Sequence, residues 1–557
     1  MSADAEGTDP EDEFYLVFAN SRIASEQSLN SNSEMSEYER EFLAHVTSEE
    51  ATLPIAVQET MHAMQALHQA YDAKTIQDAM TELAELADNE DALHLMEDQR
   101  VHEDILEGMK CLLSFLIDQK IPGENKDDNC KSFWLQSFQV GCALLSKLVQ
   151  LSKRLGKSVV KSEAPTLIMK TMYCHPHELA VQITGLETLG NFASSDLGGK
   201  VLLSLDHDVL GHVIVTMTTY QDNADIQKTC CHTLAQLLSA DDVEKSKLLK
   251  NKEYDLIIQA LKKHLKKSEV VIEVCHVIRL LCVTASDKSP FVNDELHQLV
   301  VKSMKVNHFS SDTKLWAAGA GLLSTLSTEE KVQRYLVGEN FHTDCLTMTI
   351  KFLNHPAVQA ASFELFSRLA ALVFEDTSYC EEWQWLKQVF QALSQHREDP
   401  DVQTAALDVL CKLLEFKPHL QCQIGDASED KQEPIHTLCL GAILIHGNKQ
   451  TGVFTAACSA IYWIAAANER LQGLLMEKNT HLGIYECMPH HMNNPRALEA
   501  ACKAIRGFCI FNPETKSAVF SDDRSFNLLV QALTAFYQKH LDLQIEAISV
   551  LACLADL

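Results

Sequence analysis

Glycine and proline are sparse in this chain, 20 and 13 among 557 residues, which leaves too few turn-formers for a protein built from many short strands. Leu and Ala recur throughout, and hydrophobic residues reach 46%, a balance that favours helix. No uninterrupted apolar run approaches the ~18 residues of a membrane span, and no basic segment followed by an apolar one opens the chain. Positive charge is short as well: 47 Lys and Arg stand against 77 Asp and Glu, a formal net of −30 and a pI near 5.2. Such a chain repels a phosphate backbone, so non-specific nucleic-acid binding is disfavoured. Together these deficits predict a soluble, cytoplasmic protein. Its eighteen cysteines are then expected as free thiols, because a reducing compartment does not sustain structural disulfides.

Catalytic signatures are missing too. There is no CxxC, HExxH or GxGxxG, and "DLGGKV" at Asp196 to Val201 lacks both the first glycine and the Ser or Thr of a phosphate loop. "CHPHE" (Cys174 to Glu178) and "CMPHH" (Cys487 to His491) hold metal-ligand types, but neither has a second half at matching spacing. An ordinary polar loop is the preferred reading of each. A metal-dependent enzyme built on His175, His177 and Glu178 is the weaker alternative, so no enzyme and no cofactor are expected.

Residues 1–50 carry thirteen acidic residues against Arg22 and Arg40, too polar to offset their ordering entropy, and are read as a disordered segment. Residues 51–121 show helical periodicity and are read as a helical cap or diverged repeats, followed by the polar loop "PGENKDDN". From residue 130 to 557 one phrase recurs, as in "ELAVQITGLETLGNF" and "DVQTAALDVLCKLLEF". Its anchor is a small residue with a bulky apolar residue four places later. The anchors are Gly141, Gly185, Cys230, Val274, Gly319, Ser362, Ala406, Ala457, Ala501 and Ala547, at intervals of 43 to 46 residues with one of 51. The long interval is explained by a polar insertion, "GDASEDKQEP", at 425–434.

A constant period of this size predicts an all-α solenoid of the armadillo/HEAT kind, a superhelix of about ten repeats of ~44 residues. Anchor and +4 partner share a helix face, so each small residue lets a neighbouring helix approach. No repeat can bury that face alone, so the repeats must stack. Five cysteines, Cys142, Cys231, Cys275, Cys458 and Cys502, fall directly after an anchor and read as buried core. Eight lysines between Lys245 and Lys267 read as a solvated helix face more readily than as a patch for an acidic partner.

In such an array the third helix of each repeat lines the concave side, and positions +2 and +6 face outward there. They supply the candidate partner-binding residues Glu187, Asn191, His232, Gln236, His276, Glu364, Arg368, Asp408, Lys412, Trp463 and Lys503. Nuclear-import adaptors carry Trp at +2 and Asn at +6; here Asn occurs at +6 only at Asn191, and Trp463 lies at +6, so import-signal recognition is disfavoured.

The stretches "KNKEYDLIIQALKKHLKKSEVVIEVCHVI", "VQTAALDVLCKLLEFKPHLQCQIGDASED" and "FTAACSAIYWIAAANERLQGLLMEKNTHLGI" resemble the N-terminal armadillo region of the leucine-rich repeat kinases of the Parkinson-linked type. The likeness spans roughly 130 to 557, and the "IGD" at Ile424 to Asp426 before an acidic insertion is its most specific element. It implies a membrane-recruited scaffold, without a transmembrane segment of its own, whose armadillo region binds small GTPases of the Rab type. No kinase, GTPase or leucine-rich repeat segment is present, so no catalysis carries over. The alternative is the regulatory N-terminal part of a full-length leucine-rich repeat serine/threonine kinase. "LQIEAISVLACLADL" has no Gly or Pro stop and no polar cap, which leaves self-association around Leu551 as a further expectation.

Overall fold

The computed structural model describes residues 55–69, 73–118, 128–205, 207–285, 288–293, 295–375, 381–424, 433–467, 469–510, 513–536 and 539–555. The acidic segment 1–50 and most of the 425–434 insertion lie outside them. Among the described residues every regular element is a helix. They divide into two compact units, Met1–Val209 and Leu210–Leu557.

Each anchor lies on a helix. In chain order these are α1 (Asp128–Leu151), α2 (Leu179–Ala193), α3 (Ala224–Ala240), α4 (Ser268–Thr284), α5 (Thr313–Leu326), α6 (Pro356–Glu375), α7 (Pro400–Phe416), α8 (Thr451–Ala467), α9 (Pro495–Gly507) and α10 (Leu541–Ala555). α1 packs on α2 in the first unit, and α3 to α9 each pack on the next in the second. All ten anchors are buried, as are the +4 partners Leu145, Leu189, Leu234, Ile278, Leu323, Phe366, Leu410, Ile461 and Ile505. Leu551 is half-buried. α6 is long and apolar enough to cross a membrane by length and composition, but 61% of that stretch is buried against other helices.

Polar residues ahead of the repeat helices cap their first turns. Asn223, Asp312, Asp399 and Asn494 cap α3, α5, α7 and α9 by accepting backbone N–H groups of the first turn. Pro400 and Pro495 sit at the first helical position, where a missing N–H costs nothing.

The neighbour admitted by the small anchor is the second helix of the same repeat. A Cβ on Gly185 would come within 2.4 Å of Met172 Sδ, and one on Gly319 within 2.4 Å of Met304 Sδ. In both cases a methionine lies against bare backbone. The flexible thioether fills the gap left by the missing side chain.

Two further ladders recur along the array, one within the repeats and one between them. Three residues before the anchor, Gln182, Gln227, Gln359 and Gln403 are buried, each donating from Nε2 to two carbonyls at the end of the preceding helix at 2.8–3.1 Å. In each case the carbonyl ten residues upstream would otherwise be orphaned in the core, while the one seven residues upstream also accepts a backbone N–H of the following turn. In α5 the equivalent residue is Trp316, whose Nε1 donates to the anchor Ser362 of the next repeat at 2.8 Å. The second ladder joins loops about one repeat apart: Nε2 of His264, His396, His446 and His491 meets the carbonyls of Gln221, Leu353, Arg397 and Gly447 at 2.5–2.9 Å. A carbonyl only accepts, so these rings carry the Nε2 proton.

The five cysteines that follow an anchor are fully buried, and all described cysteines are free. Burial pushes the thiols of Cys142, Cys275 and Cys502 up to about 12, which keeps them protonated and inert.

Candidate functional site: the polar ladder on the repeat helices

None of the eleven ladder residues is buried. Glu187, His276, Arg368 and Asp408 are exposed; Asn191, His232, Gln236, Glu364, Lys412, Trp463 and Lys503 are half-buried. The periodicity places them so: on a helix whose anchor and +4 residue point into the core, +2 and +6 point away. In the first unit Gln150 Nε2 donates to Asn191 Oδ1 at 3.1 Å, from α1 to α2. In the second unit the ladder forms three groups.

The first group joins α3 to α4. His232 Nδ1 and His276 Nδ1 lie 3.3 and 3.7 Å from Glu273 Oε2. Burial would raise the Glu273 pKa, but the two imidazoles outweigh it and hold the carboxyl at about 2.

The central group spans α4 to α7 and contains four of the expected residues. Glu364 accepts from Arg279 Nη2 at 3.1 Å, two repeats away. Arg368 and Lys412 flank Asp408, and Lys412 Nζ reaches Glu415 at 2.7 Å while lying 5.5 Å from the Phe416 ring centre. Asp408 keeps an open edge to solvent, yet protein crowds its sides. That crowding pushes its carboxyl up to about 6: Arg368 and Lys412 pull down, while Glu364 adds to the rise.

The third group runs from α8 to α10. Trp463 sits beside Tyr462, ring centres 5.4 Å apart, and the Arg506 guanidinium lies 5.2 Å from the Tyr462 ring centre. Arg506 Nε is 2.8 Å from Glu546 Oε2, an ion pair too poorly aligned there for a hydrogen bond; the bond runs instead from Nη2 to Oε1 at 3.3 Å. Lys503 Nζ meets Glu499 Oε1 at 2.6 Å.

The +2 and +6 rule misses Arg279, Arg506, Glu273 and Glu546. The signal was available: positions −1, +2 and +5 or +6 are successive turns of one face, so the stripe is wider than two positions.

The other candidates are placed differently. Among the described residues no group of three or more His, Cys, Asp and Glu side chains could hold a metal. His175 packs 4.7 Å from Trp134, and Cys174 and His177 are exposed. His491 is spent on structure, bonding Gly447 through one nitrogen and Thr451 Oγ1 through the other at 3.2 Å. Of the eight lysines, five lie on helices Asp242–Asn251 and Tyr254–Lys263, and Lys252, Lys266 and Lys267 lie in the connections after them. Lys245 is buried beside Asp242, and Lys247 and Lys263 pair with Glu244 and Asp222. On α10, Leu541, Ile545 and Ile548 are exposed near Leu551.

An all-helical stack of repeats with a polar ladder along its anchor helices defines an armadillo-type solenoid, the architecture of a protein-interaction scaffold. Residues 61–557 match the LRRK2 ARM repeat, and the chain belongs to that family. It is also similar to a structure determined for the cadherin and beta-catenin interaction and its phosphorylation switch, with 13% identity, 89% of this chain and 91% of that one covered, and a TM-score of 0.46. For yeast importin-beta the figures are 13%, 93%, 74% and 0.42.

Proposed function

We propose that the chain is a non-enzymatic, cytoplasmic scaffold whose anchor-helix face docks a small GTPase of the Rab type, and that membranes are reached through such partners. The observation that supports this reading most is the central group. Glu364, Arg368, Asp408 and Lys412 stand together on one face, unburied, with Asp408 incompletely compensated by its neighbours. Arg368 and Lys412 offer donors to an acidic partner surface, and Phe416, 38% exposed, offers apolar area beside them.

The test is retention of GTP-loaded and GDP-loaded Rab proteins on the immobilised chain. GTP-dependent retention, reduced roughly tenfold by Arg368→Glu with Lys412→Glu, is the expected result, on the order of the cost of reversing an interfacial charge. Absent or nucleotide-independent retention would count against it.

A further inference from the structure

Arg279 is on α4 and Glu364 on α6, so the bond between them passes over α5. The residue it crosses is Gly321: a Cβ there would come within 2.8 Å of Arg279 Nη1 and 3.2 Å of its Cζ. Gly321 occupies the +2 place that holds His276 in α4 and Glu364 in α6. Without a side chain, the α5 backbone offers a floor against which a planar guanidinium rests. Glu364 is the wall, accepting at 3.1 Å.

This contact is loosely held. The side chains of Arg279 and Glu364 are 44% and 35% exposed, and an ion pair so open to water contributes little and exchanges readily. Negative charge continues past the notch along the ladder. Asp408 feels Glu364 as a like charge, and Arg368 and Lys412 do not fully offset its crowding. A positively charged group arriving at this point meets the Glu364 carboxylate and a bare stretch of helix.

We propose that the notch over Gly321 is a guanidinium-binding subsite, filled in the free chain by Arg279 and taken over by an arginine of a docking protein. Arg279 is then an internal stand-in for the ligand, and the middle of the ladder is closed until it is displaced. Arginine is the fitting side chain because its flat fork can lie against backbone while bonding a carboxylate; a lysine ammonium has no such plane. The proposal rests on the ladder face being the binding face, but it names a ligand chemistry that the GTPase experiment does not probe.

The experiment uses the full chain and two labelled peptides, one alternating glycine with arginine and one alternating glycine with lysine, measured by fluorescence anisotropy at fixed salt. Arg279→Gln removes the stand-in. It is expected to raise affinity for the arginine peptide two- to fivefold, the range set by losing one exposed ion pair as competitor, and to leave the lysine peptide about unchanged. In the Arg279→Gln background, Glu364→Gln cancels the gain by removing the wall, and Gly321→Ala cancels it by placing a methyl group on the floor. Glu415→Gln, which removes an acid outside the notch, preserves it. Helix content and melting temperature of every variant are checked by circular dichroism, and the double variants are compared with the Arg279→Gln chain.

No gain in Arg279→Gln, an equal gain for both peptides, or a gain that survives Gly321→Ala would each overturn the proposal. Absence of the peptide effect with GTP-dependent GTPase retention intact counts against the notch alone. The peptide effect without GTPase retention counts against the proposed partner alone.

Discussion

Gln403 donates from its side-chain amide to the carbonyl of Leu393 at 3.0 Å, in a site that water does not reach. The same nitrogen bonds the carbonyl of His396, so one glutamine closes the end of the helix that precedes α7. Gln403→Leu keeps the volume and removes the donor, leaving the buried Leu393 carbonyl unsatisfied, while the His396 carbonyl still accepts the Asp399 N–H. A loss of ~1–3 kcal/mol is expected, read as a lower denaturant midpoint, because an orphaned buried polar group costs more than a typical hydrogen bond contributes. Gln359→Leu should cost about the same. A variant as stable as the parent would show that water enters to satisfy that carbonyl.

The repeat period was fully legible in the sequence because it arises from burial, and burial imposes one residue class at one spacing. Anchor, +4 partner and the cysteines after the anchors were found on that basis alone. The glutamine ladder recurs with the same period three places upstream, but a polar residue there looks like a solvated one until the carbonyls it serves are seen. The surface ladder was legible as a face and not as a set of contacts. Arg279 could be linked to Glu364 only by knowing that Gly321 leaves room between them, and that depends on how α4, α5 and α6 pack.

Gly319 and Met304 form a tight contact that can be tested as a pair. Gly319→Ala would place its Cβ 2.4 Å from Met304 Sδ, so the thioether must move within a closed core. Such overpacking costs ~1–3 kcal/mol, against the usual gain from replacing a helical glycine by alanine. Met304→Ala alone opens a cavity and costs ~2–5 kcal/mol. The double variant is expected to cost less than the two losses added, since each change relieves the other. Strict additivity in denaturant titrations would mean that the two side chains do not compete for the same space.

His297 couples the second unit to pH. It is fully buried, neither ring nitrogen has a bonded partner, and it meets Tyr335 edge-on at 5.1 Å. Burial lowers its pKa, Lys331 lowers it further, and Glu295 opposes. The neutral ring is therefore the folded form, while the unfolded chain takes up a proton near the ordinary value of ~6.5. Stability is complete above that value and falls as pH drops through it. His436 and His481, buried at the same second position of their helices in later repeats, are lowered in the same direction. His297→Phe should flatten the slope of unfolding free energy against pH below 6.5, by up to one proton. An unchanged slope would mean that this ring is already charged in the fold.

Asp408 gives the opposite sign. Its carboxyl is raised from 3.8 to about 6 in the fold, so the charged form is the disfavoured one. The unfolded chain releases the proton first, and the fold loses stability as pH rises from ~3.8 to ~6, then holds level. Asp408→Asn removes the charge and keeps the shape. The variant should match the parent near pH 4 and melt higher at pH 7.5, by a small margin because the side chain retains an edge to solvent. If it melted lower at pH 7.5, Arg368 and Lys412 would be compensating the carboxylate in full. The central ladder would then hold no spare negative charge to offer a partner.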